Sequence, residues 1–535
     1  MALAEMPKSR KPVQGARTLF AAIDIGSNAV RFALASADAR GELKILDERR
    51  RPTRLGANLS NGKGLPKPAM KATIAAVKEF CFDAIRHGVR SIRMVATAAV
   101  RESPDGAGFV ERLEHEVGLP VEIIGADEES RLAFASCRAA FELERQTVAI
   151  VDIGGGSVQV SLARKGVLFE AVSMPLGAVR LTSAFKTPGG KESQSALQRM
   201  RKHVARMIEE ALPPLVQSPT AVIGCGGTFA AIGALLGDFA GNRALAPMLA
   251  QRRRSLVRAG HASEELVQLV GAIERMDIPQ RASLLRRVGV PPDRADILPA
   301  GVIVARALVK HLGADRIVPH PGGVRDGMLR EMSARATACG MVERARAIAR
   351  EAHYEVAHSE QVAHLAVSLL HDLADVDRIR EALDDRPDAT ELLESAGLLH
   401  DTGVPIDYDR HHKVSRRIIE LANWGRISPV DRAVIANIAR YHRKSLPAEK
   451  HAPFWSLPAR ERQVVRVLAG ILRIADGLDR SHRQITTGVR VRVTPASLQI
   501  IAEGARADGP DIRAASKKSD LLCASIRRKI SVVAG

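Results

Sequence analysis

Two apolar runs rich in strand-forming residues, Leu19–Ile23 and Val148–Val151, lead into the same polar punctuation. Each is followed by one aspartate and a Gly/Ser cluster, and each then resumes an apolar strand pattern, Val30–Ala35 and Val158–Ala163. Strand, tight turn and strand predict a β-hairpin. The two copies lie 128 positions apart, which predicts a duplicated fold with a phosphate gripped between its halves. After the first hairpin the chain alternates. Helical periodicity over Ala69–Arg86, around Gly108–Val117 and over Glu128–Glu142 separates strand-like runs at Ser91–Ala96 and Val121–Ile124. The second copy repeats the scheme with a three-strand meander through 147–174, a helix at 191–211, a strand at Ala221–Gly224 and an apolar helix at 226–236. Residues 293–338 read as a closing unit of helix, short strand, Gly322-Gly323 turn and final helix. From about 340 the pattern becomes helical and dense in His and Asp, and strand alternation returns after 485.

This predicts an α/β protein in which mixed sheets are covered by helices on both faces. The expected parts are a basic arm at 1–17, a first lobe at 18–145, a second at 146–339, a helical domain at 340–484 and a small C-terminal segment at 485–535.

Charge narrows the partners. Lys and Arg outnumber Asp and Glu by 79 to 60, a formal charge of +19 that draws polyanions toward the surface. Three Tyr, two Trp and 12 Phe are few stacking platforms, which argues against a specific nucleic-acid binder. The five cysteines are far apart with no Cys-x-x-Cys pair, as in a reduced cytoplasmic protein. No run reaches the length of a membrane span, and residues 1–17 lack the apolar core of a signal peptide.

The chemistry centres on the two turns. Gly26, Ser27 and Asn28 in one, and Gly154, Gly155, Gly156 and Ser157 in the other, offer small side chains and backbone donors for an anion, with Asp24 and Asp152 at matching places. Asp127-Glu128-Glu129 opens a helix, where the dipole alone explains acidic residues. Beside a phosphate site, a carboxylate there also suits the positioning of a water.

AIDIGSNAVR (22–31), TAAVR (97–101), IIGADEESR (123–131), VDIGGGS (151–157), LGAVRLT (176–182), GCGGT (224–228) and GGVRDGML (322–329), in that order, resemble the exopolyphosphatase/guanosine pentaphosphate phosphatase family. The resemblance implies two ribonuclease-H-like lobes of the actin/sugar-kinase/Hsp70 type with the active site between them. It makes Glu129 the residue that activates water, Asp24 and Asp152 the acidic residues near the phosphates and Mg²⁺, and Gly26–Asn28 and Gly154–Ser157 the phosphate turns. Arg101 and Arg180 match family positions that suit bidentate phosphate contact. One departure stands out: Gln159 occupies a position where the family usually has Glu. The implied reaction is Mg²⁺-dependent hydrolysis of the terminal phosphoanhydride of polyphosphate, with guanosine pentaphosphate as alternative substrate, in a homodimer. A non-catalytic polyphosphate or nucleotide sensor, motivated by Gln159, and an actin-like kinase remain as other readings. The arginine runs Arg49–Arg51 and Arg252–Arg254 suit guidance of a long anionic chain, and Cys225 reads as a small buried side chain.

In the helical region His358, His400-Asp401, His412, His442 and Asp476 resemble the HD phosphohydrolase pattern. That implies a second divalent metal on His358, His400, Asp401 and Asp476. A structural His/Asp network is the alternative.

Overall fold

The computed structural model describes residues 18–38, 42–89, 91–185, 193–214, 217–237, 255–256, 260–334, 340–494 and 497–535. The basic arm at 1–17, the Arg252–Arg254 run and Cys339 lie outside them. The chain divides into two compact units, 1–337 and 338–535.

The first unit contains two sheets of matching construction. In the first, β1 (Thr18–Ile25), β2 (Ala29–Ala37) and β3 (Leu43–Pro52) form an antiparallel meander, and β4 (Ser91–Ala96) and β5 (Glu122–Ile123) extend it in parallel on the other side of β1. In the second, β6 (Thr147–Ile153), β7 (Val158–Arg164) and β8 (Val167–Met174) repeat the meander; β9 (Ala221–Cys225) and β11 (Arg316–Pro319) continue in parallel, and β10 (His261–Ala262) closes the edge. The duplication extends to register. Asp24 pairs with Arg31 across the first hairpin and Asp152 with Gln159 across the second. Even the β-bulges correspond, at Leu34/Ala35 and Leu162/Ala163.

The central strands are apolar throughout because both faces are covered. Ala21, Ile23 and Ile25 face one core with Val77 and Phe80 of helix Lys67–Arg86 and Phe109 of helix Gly106–Val117. Phe20 and Ala22 face the opposite core, completed by Leu132 of helix Ala126–Ala140 and by Val324, Met328, Leu329 and Met332. Those last four lie on helix Val324–Ala334, which the sequence pattern assigned to the second lobe (146–339). It returns instead to the first sheet, where its apolar stripe fills the face beside helix Ala126–Ala140. Gly327 permits the contact, since a Cβ there would lie 2.2 Å from the Leu132 carbonyl oxygen. Buried Glu331 of this helix accepts hydrogen bonds from Arg93 on β4 (3.0 Å) and from Arg131 (3.0 Å), tying three elements together.

The second unit is a helical bundle around helix Ala459–Leu478, whose residues 464–478 are almost wholly buried. The C-terminal segment, β12 (Gly488–Val493), β13 (Ser497–Glu503), helices Pro510–Lys517 and Asp520–Ile526, and β14 (Lys529–Ala534), belongs to the same unit. Gly470 and Gly477 let it close on the bundle, as Cβ atoms there would sit 2.9 Å from the Leu522 nitrogen and 2.5 Å from the Ala515 Cα. No described helix is long and apolar enough to cross a membrane.

Glu331→Ala leaves Arg93 and Arg131 buried with fewer counter-charges. We expect a loss of about 3 kcal/mol, the low end for breaking a buried pair, because Glu122 and Glu128 still cover one side. Urea unfolding of the first unit measures it, and an unchanged midpoint contradicts the clamp.

Candidate active site

Between the two sheets lies a cavity of about 70 Å³ that brings together Asp24, Glu129 and Asp152 with Gly26, Ser27, Asn28 and Gly154–Ser157. The hairpin turns interlock there. A Cβ on Gly155 would stand 3.0 Å from the Asn28 nitrogen, and one on Gly156 would stand 2.6 Å from Ser27 Oγ. The carbonyls of the second turn are taken up by the following segment: Ala178 N–H donates to Gly154 O (3.0 Å), and Val179 and Arg180 N–H donate to Gly155 O (2.9 and 3.0 Å). Arg180 adds a side-chain bond from Nε to Gly156 O at 2.8 Å, so it braces the turn. In the first turn, Thr53 and Arg54 N–H donate to Asn28 O (3.2 and 3.0 Å) and Gly56 N–H to Ser27 O (2.8 Å). With these carbonyls engaged by the neighbouring segments, Gly-rich turns of this kind suit an anion at their backbone N–H groups. The buried Asn28 amide has no hydrogen-bond partner among the described residues at either Nδ2 or Oδ1, an arrangement that costs energy until something polar enters.

The acidic triplet separates into three environments. Asp127 is exposed. Glu128 is held well below the usual carboxylate range, at about 2, where Arg131 and Arg93 outweigh the opposing effect of burial. Glu129 faces the cavity and is pushed up to about 7, first by burial and further by Asp152 and Asp24, against the pull of Arg101. Arg101 Nη1 donates to Glu129 Oε1 at 2.5 Å and to the Ile124 carbonyl at 2.7 Å. Arg101, expected at the phosphate, therefore does not line the cavity; it positions Glu129, because the helix start carries that carboxylate across its path.

Asp152 is pushed up to about 6 by burial, with Asp24 adding to it and Arg31 opposing; burial raises Asp24 likewise. Neither carboxylate has a hydrogen-bond or salt-bridge partner among the described residues. Asp152 is approached so closely that Gly226, at φ +78°, must be glycine: a Cβ would meet its Oδ1 at 2.2 Å. Two buried carboxylates without a bonded partner among the described residues fit a divalent cation.

Five lining residues carry no role in the sequence reading: Ala29, Arg31, Thr97, Ala98 and Val324. Arg31 was legible, since a hairpin that pairs residues 25 and 30 puts position 31 opposite Asp24. Gln159 holds the equivalent place opposite Asp152, and its Nε2 donates to Ser157 Oγ at 2.8 Å. Here Gln159 orders the second turn, a donation a glutamate would not make. Cys225 is fully buried and its Sγ lies 3.5 Å from that of Cys137; this contact and burial raise its pKa well above the ordinary value.

In the second unit His358, His400, Asp401 and Asp476 also converge. His358 Nε2 lies 3.8 Å from Asp401 Oδ2 and 3.8 Å from Asp476 Oδ1, and His400 Nε2 lies 3.6 Å from Asp401 Oδ1. Of the adjacent histidines it is His411, not His412, that faces this cluster, 3.2 Å from Asp401 Oδ1. His412 is buried elsewhere and is lowered to about 3 by burial and by Arg440. His442 Nε2 stands 3.5 Å from Asp401 Oδ1.

Paired actin-like α/β lobes with twin glycine turns and opposed aspartates define a class of phosphoryl-handling proteins. The Ppx/GppA phosphatase family model matches residues 34–336, and the model of that family's domain III matches residues 343–502. This chain belongs to the Ppx/GppA family and is a phosphatase, a hydrolase of phosphorus-containing anhydrides. Exopolyphosphatase 1 of Mycobacterium tuberculosis is 27% identical over 324 residues, 60% of this chain and 90% of that protein. A solved exopolyphosphatase-like protein aligns with TM-score 0.52 at 22% identity, covering 60% of this chain and 99% of its own. An exopolyphosphatase from Cytophaga hutchinsonii aligns with TM-score 0.50 at 20% identity, covering 60% and 99%. At those identities the two structures establish the fold.

The raised carboxyls give a pH signature. Glu129 (ordinary value 4.5) and Asp152 (3.8) hold protons in the folded state that the unfolded chain has lost. Their contribution to stability is full below about pH 4 and disappears as pH rises to about 7. In chelator, the first unit should therefore become less stable across that window, with Glu129 alone accounting for something on the order of 3 kcal/mol. Glu129→Gln flattens the slope in pH-dependent thermal unfolding; an equal slope in wild type and variant contradicts the assignment.

Proposed function

We propose that the protein is an exopolyphosphatase that removes the terminal phosphate of inorganic polyphosphate with Mg²⁺. The observation that carries this is a second cavity, of about 120 Å³, that shares Arg31 with the first and is lined also by Arg49, Arg50, Arg294 and Arg325. Arg294 is lowered to about 9, first by burial and then by Arg50 and Arg31, and Arg325 is lowered by burial and Arg31 against the pull of Glu48. Cations crowded in this way gain from a polyanion threaded among them. Neither the Arg31 nor the Arg294 guanidinium has a hydrogen-bond or salt-bridge partner among the described residues. Gly227 leaves room for Arg294, whose Nη1 would lie 2.2 Å from a Cβ there.

In this reading the terminal phosphoryl group sits between the turns, its oxygens against their N–H groups. Asp24 and Asp152 hold the Mg²⁺, which when bound supplies neutralising charge to the phosphoryl oxygens. Glu129, close to neutral pH in its proton affinity, takes a proton from the attacking water as its oxygen bonds to phosphorus. The bridging P–O bond breaks, and the charge left on the shortened chain meets Arg31. Guanosine pentaphosphate is the second reading, favoured by the apolar wall of Ala230, Ala231, Val290 and Pro291; against it, no aromatic side chain lines the cavity to stack on a base. The resemblance adds a homodimer and a cytoplasmic setting, the latter supported by the free cysteines. We further propose that the helical unit is HD-like and that His358, His400, Asp401 and Asp476 hold a second divalent metal. The support is that Nε2 of His358 and of His400 is buried without a hydrogen-bond partner.

Phosphate release from polyphosphate, guanosine pentaphosphate and ATP, with no acceptor alcohol present, tests the substrate. We expect polyphosphate to be preferred and Glu129→Gln to abolish release while polyphosphate still binds. Release only from guanosine pentaphosphate selects the second reading, and binding without any release selects a sensor. Arg294→Gln removes one charge-assisted contact, so KM for long chains should rise about tenfold to a hundredfold with kcat little changed. An unchanged KM removes the second cavity from the path of the chain.

A further inference from the structure

The two hairpins share a register but differ in what stands across from their aspartates. An offset of 128 places Ala29 where the second copy has Ser157, and Arg31 where it has Gln159. Residues directly opposite in an antiparallel ladder project to the same face, with Cβ atoms roughly 4.5–5.5 Å apart. Asp24 and Arg31 form such a pair, and so do Asp152 and Gln159; all four line the smaller cavity, together with Ser157. One hairpin therefore sets a fixed cation beside its carboxylate and the other a neutral amide. Duplication alone does not account for that difference.

The amide has a definite partner. Gln159 Nε2 donates to Ser157 Oγ at 2.8 Å, two positions back at the start of β7, and both side chains are buried, at 3% and 4% exposure. A serine hydroxyl carries one proton and two lone pairs. Here the amide occupies a lone pair, and among the described residues no acceptor takes the proton. The Ser157 carbonyl is tied to Gly154 N–H at 3.0 Å, which fixes the backbone from which the hydroxyl is aimed. Ser157 is thus left as a donor in a cavity whose proposed occupant offers acceptor oxygens. An amide turned the other way, with its oxygen to Ser157, would draw the proton onto itself and leave lone pairs facing the anion.

We propose that Gln159 is a positioning residue: it holds Ser157 Oγ by a lone pair and so turns the hydroxyl proton onto an oxygen of the terminal phosphoryl group, giving this chain a grip on phosphate that does not require Mg²⁺. The inference rests on the reading that places that group between the two turns. A glutamate at 159 has almost the same shape and acts in the opposite sense. Its carboxylate only accepts, so it takes the Ser157 proton for itself. It also stands as a like charge directly across from Asp152, an unfavourable pair unless a cation lies between them. The amide removes both effects without changing the packing. Arg31 adds charge from the first hairpin, and the Ser157 hydroxyl adds a directed donor from the second. The anion is then held by groups that are in place before any cation arrives.

The test uses the full chain carrying Glu129→Gln, which keeps the probe intact, and follows tripolyphosphate binding by calorimetry at mildly alkaline pH. In chelator the parent should bind. Ser157→Ala should weaken that binding about tenfold, the loss of one hydrogen bond to a charged group. Gln159→Met, which keeps the volume and removes the donor, should weaken it about threefold to tenfold, and Gln159→Glu more than either. In Mg²⁺, where Gln159→Glu regains binding, adding Ser157→Ala to it should cost less than about threefold, a coupling that a merely structural amide does not generate. Gln159→Glu should also unfold at a lower temperature than the parent in chelator and recover the difference in Mg²⁺, whereas Gln159→Met shows no such recovery. Circular dichroism checks folding, and Gln159→Met carries the test if Gln159→Glu does not fold in chelator. A parent that binds no tripolyphosphate in chelator overturns the inference, as does unchanged affinity in Ser157→Ala or in Gln159→Met. An undiminished loss from Ser157→Ala beside Gln159→Glu overturns it too. Hydrolysis plays no part in these readouts: a wild-type chain that shows this pattern and releases no phosphate keeps the inference and loses the exopolyphosphatase reading.

Discussion

Asp24 and Asp152 are brought together from the tips of two hairpins, with Glu129 alongside, in a place where water is scarce. Like charges in a buried space repel, and each also loses its hydration. Glu129 has Arg101 to offset part of this, while the two aspartate carboxylates have no bonded partner among the described residues. The remaining parts of the cleft answer that constraint. Turn carbonyls are engaged by neighbouring segments, and glycines let two backbones meet without a side chain between them. Such a site is comfortable either protonated or filled by a cation together with an anion. The proposed function makes the second state the productive one.

The excess of positive charge acts through specific placement. Among the described residues Arg31 and Arg294 have no bonded counter-charge, whereas Arg50 is engaged bidentately by Asp293 and Arg325 by Glu48. The engaged pair fixes the walls and the free pair supplies the attraction. In the proposed function, a long chain of phosphates would engage both cavities at once, and a lone orthophosphate only the smaller.

Much of this was legible in the sequence, because a hairpin is a local structure. Once Asp24 and Asp152 are seen 128 positions apart with matching turns, the paired strands, their register and the shared cleft follow. What escaped depends on contacts between distant segments. Helical periodicity gives helix Val324–Ala334 an apolar stripe but does not say which sheet receives it. Arg101 is adjacent to the cleft in any reading, yet whether it meets phosphate or Glu129 depends on the path of helix Ala126–Ala140. The neighbours His411 and His412 differ by about 100° around a helix. Only the packed bundle decides which one faces Asp401. Gln159 looked like a lost charge, and in the fold it is a hydrogen-bond donor to Ser157.

The central claim is that both turns grip one phosphoryl group while the rest of the chain runs past Arg31 toward Arg294. A crystal structure of Glu129→Gln grown with Mg²⁺ and a short polyphosphate tests it most directly. The terminal phosphate should lie between Gly26–Asn28 and Gly154–Ser157 with a cation on Asp24 and Asp152, and the following phosphates should enter the arginine cavity. Polyphosphate bound elsewhere, or a cleft that binds the cation and excludes the phosphate, contradicts the account.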